Sequence, residues 1–323
     1  MPTYNSVISR TDSAALIPED ASREIIAAIP QASAVLGLSR RLPNMSTAQR
    51  RMPVMSALAS AYFVTGDTGL KQTSEVTWEN KYIDAEELAV IVPIPEAVLD
   101  DAAFDIWGEV RPSLVEAFGI AIDQAVLYGT NIPATWTTNL GAAGIVAGAL
   151  AASQNASLAN YTDMYEAILG ETDAGASGLF GLVEEDGFMV TGSIAHLTMK
   201  RKLRNVRDTE GGLIFSTNMQ QAGAYLLDGA PCLFPTNGAV DSTYYLISGQ
   251  WNQLVYAMRQ DITYKVLTEA VIQDAGGNII YNLAQQDMVA LRAVMRLGFA
   301  LPNPISRVQP VEASRFPFAY LTA

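Results

Sequence analysis

Two residue types that commonly bind metals or act as nucleophiles occur once each, as His196 and Cys232. No cysteine or carboxylate stands at metal-ligand spacing from His196, whereas a zinc site needs three or four nitrogen, sulfur or oxygen ligands. A Ser-His-Asp triad would have to use the same histidine, and no G-x-S-x-G turn accompanies it. Cys232, between Pro231 and Leu233, is interpreted as a small buried hydrophobe. The sequence therefore predicts no catalytic residue and no metal site.

Phosphate and paired-carboxylate chemistry also lack a specific signal. The phosphate-binding pattern G-x-x-x-x-G-K-[ST] is absent, and the glycine-rich segment 170–181 contains no lysine. Adjacent carboxylates occur at 86–87, 100–101 and 184–186, but adjacency along a chain is typical of solvated loops. We therefore predict no cofactor and no catalysis by a carboxylate pair.

A cluster of basic residues is the remaining candidate site. It consists of Lys200, Arg201, Lys202, Arg204 and Arg207, which would occupy more than one face of a helix. One interpretation is a solvated helix, and the other is a contact with an acidic neighbouring subunit or a loose contact with DNA. The whole chain carries 20 Lys and Arg against 33 Asp and Glu, a net charge of -13. Any DNA binding should therefore be weak or local.

The composition is that of a folded chain whose stability comes from packing. Apolar residues make up 50% of the chain and charged residues 16%, which is typical of a folded protein. A length of 323 residues is enough for two compact domains or one large one. A single cysteine cannot form an intramolecular disulfide, which is consistent with a reducing cytoplasm. Residues 1–10 do not resemble a signal peptide, and the apolar segment 140–152 is shorter than the roughly 20 residues of a membrane span. We expect neither export by a signal peptide nor a membrane helix.

The first hundred residues predict an arm followed by a long hairpin. The arm holds one short helix at 22–29 and a second after Pro30. An apolar run at 61–64, a glycine-containing turn at 65–69 and a returning strand then form the hairpin. In the returning strand Val76, Trp78 and Tyr82 alternate with polar residues, the period of two expected when one face is covered. That face should meet a partner surface.

A strong helix signal covers residues 112–128. Its apolar residues recur every three or four positions, Glu116 and Asp123 lie opposite them, and Gly129 offers a stop. Residues 130–285 predict mixed α/β structure, with helices at 161–169 and over the basic cluster and strands at 188–191, 212–215, 244–248 and 254–258. Residues 288–301 suit a long strand passing through a sheet, although a helix is not excluded by periodicity.

Segments that carry a family resemblance are spread along most of the chain. They are 51–54 (RMPV), 61–64 (AYFV), 66–71 (GDTGLK), 92–101 (VPIPEAVLDD), 249–251 (GQW), 259–264 (RQDITY), 286–292 (QDMVALR) and 296–299 (RLGF). No single segment is a sharp motif, but their order and spacing together are specific. The chain resembles the major capsid proteins of tailed phages, with the Hong Kong 97-like fold that herpesvirus capsid floors and encapsulin shells share. The implied function is self-assembly into the icosahedral head shell around a double-stranded DNA genome.

The resemblance implies an α+β fold with a defined order of parts. These are an N-terminal arm (1–48), an extended β-hairpin loop (49–92), a peripheral domain with a long spine helix (93–132), an α/β axial domain (133–283), a peripheral return strand (284–303) and a C-terminal segment (304–323). In the family the extended loop lies across a neighbouring subunit, and axial domains meet at the centres of hexamers and pentamers. The implied assembly residues in the loop are Gly66, Asp67, Gly69, Lys71, Trp78 and Tyr82. The basic cluster would contact a neighbouring subunit or packaged DNA.

The implied partners are copies of the same chain, a portal and, as a further candidate, decoration proteins. The implied location is a virion assembled in the bacterial cytoplasm. Some family members begin with a scaffolding domain that is cleaved after assembly, and the residues before the loop leave no room for it. We therefore expect a separate scaffold protein, or an arm that serves instead.

Some family members also join their subunits covalently. A lysine of the extended loop attacks an asparagine of the peripheral domain, assisted by a glutamate. Lys71 could supply the amine, but the corresponding positions are Asp287 and Val294. A carboxylate is a poor acyl donor and valine cannot transfer protons, so we expect no crosslink.

Two alternatives to a phage head protein remain at this level. An encapsulin-type compartment would share the fold and would be recognised by a cargo enzyme gene beside its own. A cytoplasmic enzyme with an unfamiliar site belongs to a different class, and a particle tens of nanometres across would count against it.

Overall fold

The computed structural model describes residues 33–64, 69–101, 105–170, 175–206, 225–274 and 276–322. Its helices are α1 (Ala34–Leu38), α2 (Glu96–Asp101), α3 (Ile106–Tyr128), α4 (Ala134–Leu140), α5 (Ile145–Ala151), α6 (Met164–Leu169), α7 (Leu179–Glu185) and α8 (Leu197–Leu203). Its strands are β1 (Arg40–Arg41), β2 (Gln49–Ala57), β3 (Thr77–Asp84), β4 (Glu86–Pro95), β5 (Asn155–Ser157), β6 (Gly192–Ala195), β7 (Leu226–Leu227), β8 (Ala230–Leu233), β9 (Tyr244–Gly249), β10 (Val255–Leu267), β11 (Val271–Gln273), β12 (Ile279–Asn282), β13 (Met288–Ala300) and β14 (Phe318–Thr322).

A four-stranded sheet of order β1-β10-β13-β4 has β13 in its interior, antiparallel to both β10 and β4. The odd-numbered side chains of β13, from Leu291 to Phe299, are buried in two cores that also contain α3. The opposite face holds Arg292 and Arg296 at positions less deeply buried. The strand predicted over 288–301 is confirmed, and the helix alternative is wrong because the segment pairs with β10 on one side and β4 on the other.

A six-stranded sheet of order β5-β14-β9-β6-β8-β7 forms the second part of the molecule. Strand β14, at the C-terminal end of the described chain, lies inside this sheet between β5 and β9. One core shared with α3, α4 and α5 covers one side, and a second core around α6, α7 and α8 covers the other. Strands that are neighbours in this sheet are therefore often far apart in the sequence.

Several element boundaries differ from the sequence predictions. The strand expected at 188–191 begins four residues later, as β6, and the strand expected at 254–258 continues to Leu267. Residues 61–64 belong to no strand, and residues 86–92 lie in β4 of the four-stranded sheet. The helix predicted at 22–29 and the strand predicted at 212–215 lie outside the described residues.

Helix α3 begins six residues before the predicted start and includes Pro112. Proline removes one helical hydrogen bond, but Trp107 and Val110 in the preceding turns pack with Phe118 against the four-stranded sheet. Burial of these side chains offsets the loss, so the helix extends through the proline. The stop at Gly129 is confirmed, because that residue has a φ of 72° and its N–H donates to the Ala125 carbonyl at 3.0 Å.

Asp123 is fully buried, so its predicted place on a solvent-facing side of α3 is wrong. Its carboxylate accepts hydrogen bonds from the Ser33 hydroxyl and from the backbone N–H groups of Ala34 (3.0 Å) and Val35 (3.1 Å). These donors begin α1, whose first N–H groups have no partner within the helix. Burial raises the pKa of the Asp123 carboxyl, while the three hydrogen bonds act in the opposite direction. The apolar-polar pattern could not reveal a carboxylate that caps another helix.

None of the helices in the described ranges is long and apolar enough to cross a membrane.

We predict that Asp123→Ala lowers the free energy of unfolding by about 1–3 kcal/mol, because two buried N–H donors lose their acceptor. Glu116→Ala, on the same helix, is the matched control and should change it by less than about 0.5 kcal/mol. Urea unfolding followed by circular dichroism measures both. Equal effects of the two substitutions would contradict the capping role of Asp123.

Candidate subunit interface

The hairpin of β2 and β3 is fixed to the body at its base. Ile83 is fully buried in a small core with Met45, Val255 and Ala257. The indole N–H of Trp136, in α4, donates to the Asp84 carbonyl at 3.1 Å. Elements on both sides of the hairpin base therefore determine the direction in which it leaves the body.

One face of the hairpin carries apolar side chains that the described part of the chain leaves exposed. Met55 lies opposite Trp78, and Arg51 lies opposite Tyr82, so the four side chains share this face. Trp78 is 66% exposed, and Met55 and Tyr82 are each 39% exposed. We call the face formed by Met55, Trp78 and Tyr82 the hairpin apolar face.

The opposite face of the hairpin is occupied within the chain. Ile83 and Met52 pack against the body, and the Lys81 ammonium lies 3.1 Å from the Glu312 carboxylate. Within the described residues, the two faces of the ribbon therefore differ: one packs in part against the body, and the hairpin apolar face is exposed.

Beyond the strands, the described part of the hairpin is held by a few polar contacts of its own. The Ser60 N–H donates to the Ser74 hydroxyl at 2.9 Å, and the Tyr62 hydroxyl donates to the Gln72 carbonyl at 3.3 Å. Exposed apolar side chains continue here, with Phe63 and Leu70 almost fully exposed. The candidate residues Gly69 and Lys71 are exposed, whereas Gly66 and Asp67 lie outside the described residues.

Of the two positions considered for crosslinking, one precedes β13 and the other lies in the middle of that strand. Asp287 stands at the turn before β13 with a φ of 50°, and its carbonyl accepts from the Glu96 N–H at 2.9 Å. Val294 lies within β13, is 9% exposed, and pairs with Ala89 and Thr263 on the neighbouring strands. Asp287 therefore offers no amide as an acyl donor, and Val294 offers no group that could transfer a proton.

Two lysines of the basic cluster contact aromatic rings. The Lys200 ammonium lies 4.2 Å from the centre of the Tyr225 ring, and the Lys202 ammonium lies 4.4 Å from that of Tyr245. These cation–π contacts occupy the two lysines, leaving Arg201 and Arg204 exposed. Arg207 lies outside the described residues. Arg201 and Arg204 are therefore the most accessible cations of the described part of the cluster.

The contacts of His196 and Cys232 indicate structural roles for both residues. The His196 ring accepts the Thr198 N–H at 3.3 Å and so caps α8. Cys232 is 4% exposed in the core beneath the six-stranded sheet, and burial raises the pKa of its thiol to about 12. The described residues contain no group of three His, Cys, Asp or Glu side chains that could hold a metal ion.

A second exposed apolar surface was missed by sequence reasoning. It surrounds the β11–β12 ribbon and the adjoining end of β10, and its exposed members are Tyr264, Val266, Val271, Ile279, Ile280 and Tyr281. An alternation of apolar and polar residues at 262–266 was the available signal, but it was included in the mixed α/β region without being interpreted.

The model of the phage capsid family matches residues 13–308. The chain belongs to the phage capsid family. A curated relative, the major capsid protein of Staphylococcus phage 80alpha, is 25% identical over 297 residues, in a match that covers 90% of this chain and 83% of the relative.

Solved structures agree with this membership. A chain from Microbacterium phage Oxtober96 is 34% identical with a TM-score of 0.80, covering 98% of this chain and 99% of its own. A chain from Mycobacterium phage Adephagia is 32% identical with a TM-score of 0.79, covering 98% of both. The capsid of a native GTA particle, at 14% identity and a TM-score of 0.63 with 99% of both chains covered, shares the fold.

The resemblance to tailed-phage major capsid proteins and the Hong Kong 97-like α+β fold are therefore confirmed. This phage capsid family member is a major capsid protein and a structural part of a virion.

We predict that this capsid protein forms no covalent ladder, because Asp287 and Val294 cannot supply the acyl donor and the proton-transferring group. Mature particles boiled in SDS should give one band near 34.7 kDa, and Lys71→Ala should leave the band pattern unchanged. Multimers that resist boiling and disappear in Lys71→Ala would contradict this prediction.

DNA binding by purified capsomers should be weak, since only Arg201 and Arg204 of the described cluster are free of aromatic partners. Few phosphates can then be neutralised at once, so binding should vanish by roughly 0.2 M salt. Fluorescence anisotropy with labelled duplex DNA measures this. Submicromolar affinity at that salt concentration would show that a larger cationic surface exists.

Proposed function

We propose that this capsid protein builds an icosahedral head shell around double-stranded DNA through self-association, with each hairpin lying across a neighbouring subunit. The observation that carries the proposal is the hairpin apolar face, where a tryptophan that is 66% exposed lies beside an exposed methionine and an exposed tyrosine. Full burial of a large apolar side chain contributes about 1.5–3 kcal/mol. A neighbour's surface would supply that burial.

The parts of the subunit would divide this work. The four-stranded sheet with α3 corresponds to the peripheral domain and its spine helix. The six-stranded sheet with its flanking helices corresponds to the axial domain, whose outer end would meet its copies in hexamers and pentamers. Strand β14, from the 304–323 segment, and β4, partly within the 49–92 segment, attach those segments to these two bodies. Residues 1–48 would serve as an arm.

Further partners follow from the same proposal. A portal and a separate scaffold protein are expected, with decoration proteins as an additional candidate, and assembly would take place in the host cytoplasm. Packaged DNA would contact the shell loosely, as the net charge of -13 favours. A shell protein needs no catalysis, and we assign no residue a catalytic role.

We predict that Trp78→Ala with Tyr82→Ala leaves a soluble, cooperatively melting subunit that makes no shells. Truncating a buried aromatic contact costs about 3–5 kcal/mol, and a closed shell repeats the loss at each equivalent boundary. Replacing residues 61–76 by a short Gly/Ser turn should have the same effect. Circular dichroism melts report the fold, and sucrose gradients with electron microscopy report the shells.

The control for this experiment is Phe118→Asp, which places a charge in the core between α3 and the four-stranded sheet. This substitution should abolish the melt itself, because a buried unpaired carboxylate is strongly unfavourable. Closed particles from the hairpin variants would show that assembly does not need the hairpin. A lost melt like that of Phe118→Asp would show that folding needs it.

A further inference from the structure

Residues 303–315 form a loop that Arg315 closes on itself. Arg315 is 3% exposed, and its guanidinium donates to the carbonyls of Asn303 (3.1 Å), Gln309 (2.9 Å) and Pro310 (3.2 Å). The Asn303 side chain returns a hydrogen bond to the Arg315 carbonyl at 2.9 Å. A single buried side chain therefore holds both ends and the middle of the loop together. We call residues 303–315 the C-terminal bracket.

One side of the C-terminal bracket contacts the hairpin at three places. The Arg307 guanidinium donates to the Ala59 carbonyl at 2.8 Å, and the Ile305 N–H lies 3.5 Å from the Met55 carbonyl. Glu312 pairs with Lys81 at 3.1 Å. These contacts involve both strands of the hairpin and extend outward past its buried base at Ile83.

The other side of the C-terminal bracket is attached to the body that contains the six-stranded sheet. The Phe316 N–H, directly after the bracket, donates to the Asp186 carboxylate at 2.8 Å, and Gln154 donates to the same oxygen at 2.7 Å. Ser306 and Val308 lie against Gly187, where an added Cβ would clash with the Ser306 hydroxyl. The bracket thus joins the hairpin to the region around Asp186 and Gly187, as a second attachment apart from the hairpin base.

We propose that the C-terminal bracket is a releasable support that sets the angle of the hairpin in the free subunit. This inference rests on the proposed function, since the hairpin angle matters because the hairpin apolar face must reach a neighbour. The base at Ile83 and Asp84 acts as the hinge, and the bracket holds the ribbon farther out. Release needs no change in the Arg315 network, because that network lies wholly within the bracket.

The contacts with the hairpin differ in strength from the contacts that close the bracket. Arg315 makes its hydrogen bonds in a buried setting, where charge-assisted bonds are strongest. The Lys81 and Glu312 side chains are 26% and 57% exposed, so their ion pair is weak and is screened by salt. The hairpin should therefore separate from an intact bracket, and more often at high ionic strength.

Single-molecule energy transfer in free subunits tests the proposal directly. Dyes on cysteines at Asn80, in the hairpin, and Thr243, beside β9, would be introduced with Cys232→Ala. The unsubstituted pair should give one main distance at low salt and a second population at high salt. Glu312→Gln should raise the second population about two- to fivefold at low salt, as expected for the loss of an exposed ion pair.

Glu79→Gln is the matched control, because Glu79 lies 3.6 Å from the same Lys81 ammonium but belongs to the hairpin itself. It should leave the distances unchanged. Lys81→Glu should act like Glu312→Gln, and adding Glu312→Lys should restore the first distance. Adding Arg307→Ala to Glu312→Gln should increase the second population further.

Two outcomes would contradict the proposal that the bracket sets the angle of the hairpin. One is a single distance that neither Glu312→Gln with Arg307→Ala nor high salt alters. The other is an equal shift from Glu79→Gln and Glu312→Gln. Both outcomes are distances between the two dyes, measured in free subunits, so they do not depend on shell formation. Failure of the shell proposal would instead appear as closed particles from Trp78→Ala with Tyr82→Ala, whatever the hairpin angle.

Discussion

The packing of β13 between α3 and the base of the hairpin is the interaction on which the rest of the structure depends. One face of the strand forms the core with α3 through residues such as Leu291 and Leu297. The other face meets the hairpin base at Gly298, where a Cβ would clash with the Asp84 carbonyl. Because β13 also pairs with β10 and β4, the same strand positions the helix, the hairpin and the sheet. A hairpin with one exposed apolar face thus takes its direction from the core.

Apolar side chains in this chain fall into two groups with different roles. Those of α3 and β13 are buried within one subunit and stabilise the fold. Those of the hairpin apolar face and of the β11–β12 ribbon remain exposed, although large exposed apolar patches are uncommon on monomers and mark interaction sites. Under the proposed function, separation of the two groups would allow the subunit to fold before it assembles. It also explains why a single chain looks incomplete when burial alone is considered.

Sequence patterns predicted the features that depend on local periodicity and failed where distant residues decide. The strand at 288–301, the Gly129 stop and the alternation around Trp78 could be read from residue types alone. The capping of α1 by Asp123 and the cation–π partners of Lys200 and Lys202 required knowledge of residues far along the chain. Pro112 lies within α3 because packing outweighs a local rule. The insertion of β14 into the six-stranded sheet has no sequence signature, since pairing of distant strands leaves none.

The charge balance limits how copies of the chain approach one another. With a net charge of -13, two copies repel each other over a range of about 10 Å at 0.1 M salt. Apolar burial acts only at contact, so repulsion is offset only in orientations that bring large apolar faces together. A contact that is weak by itself dissociates when misplaced, while a closed assembly gains stability by repeating the correct contact. A hairpin held at one angle reduces the orientations that must be sampled. The bracket would therefore favour correct contacts without strengthening any of them.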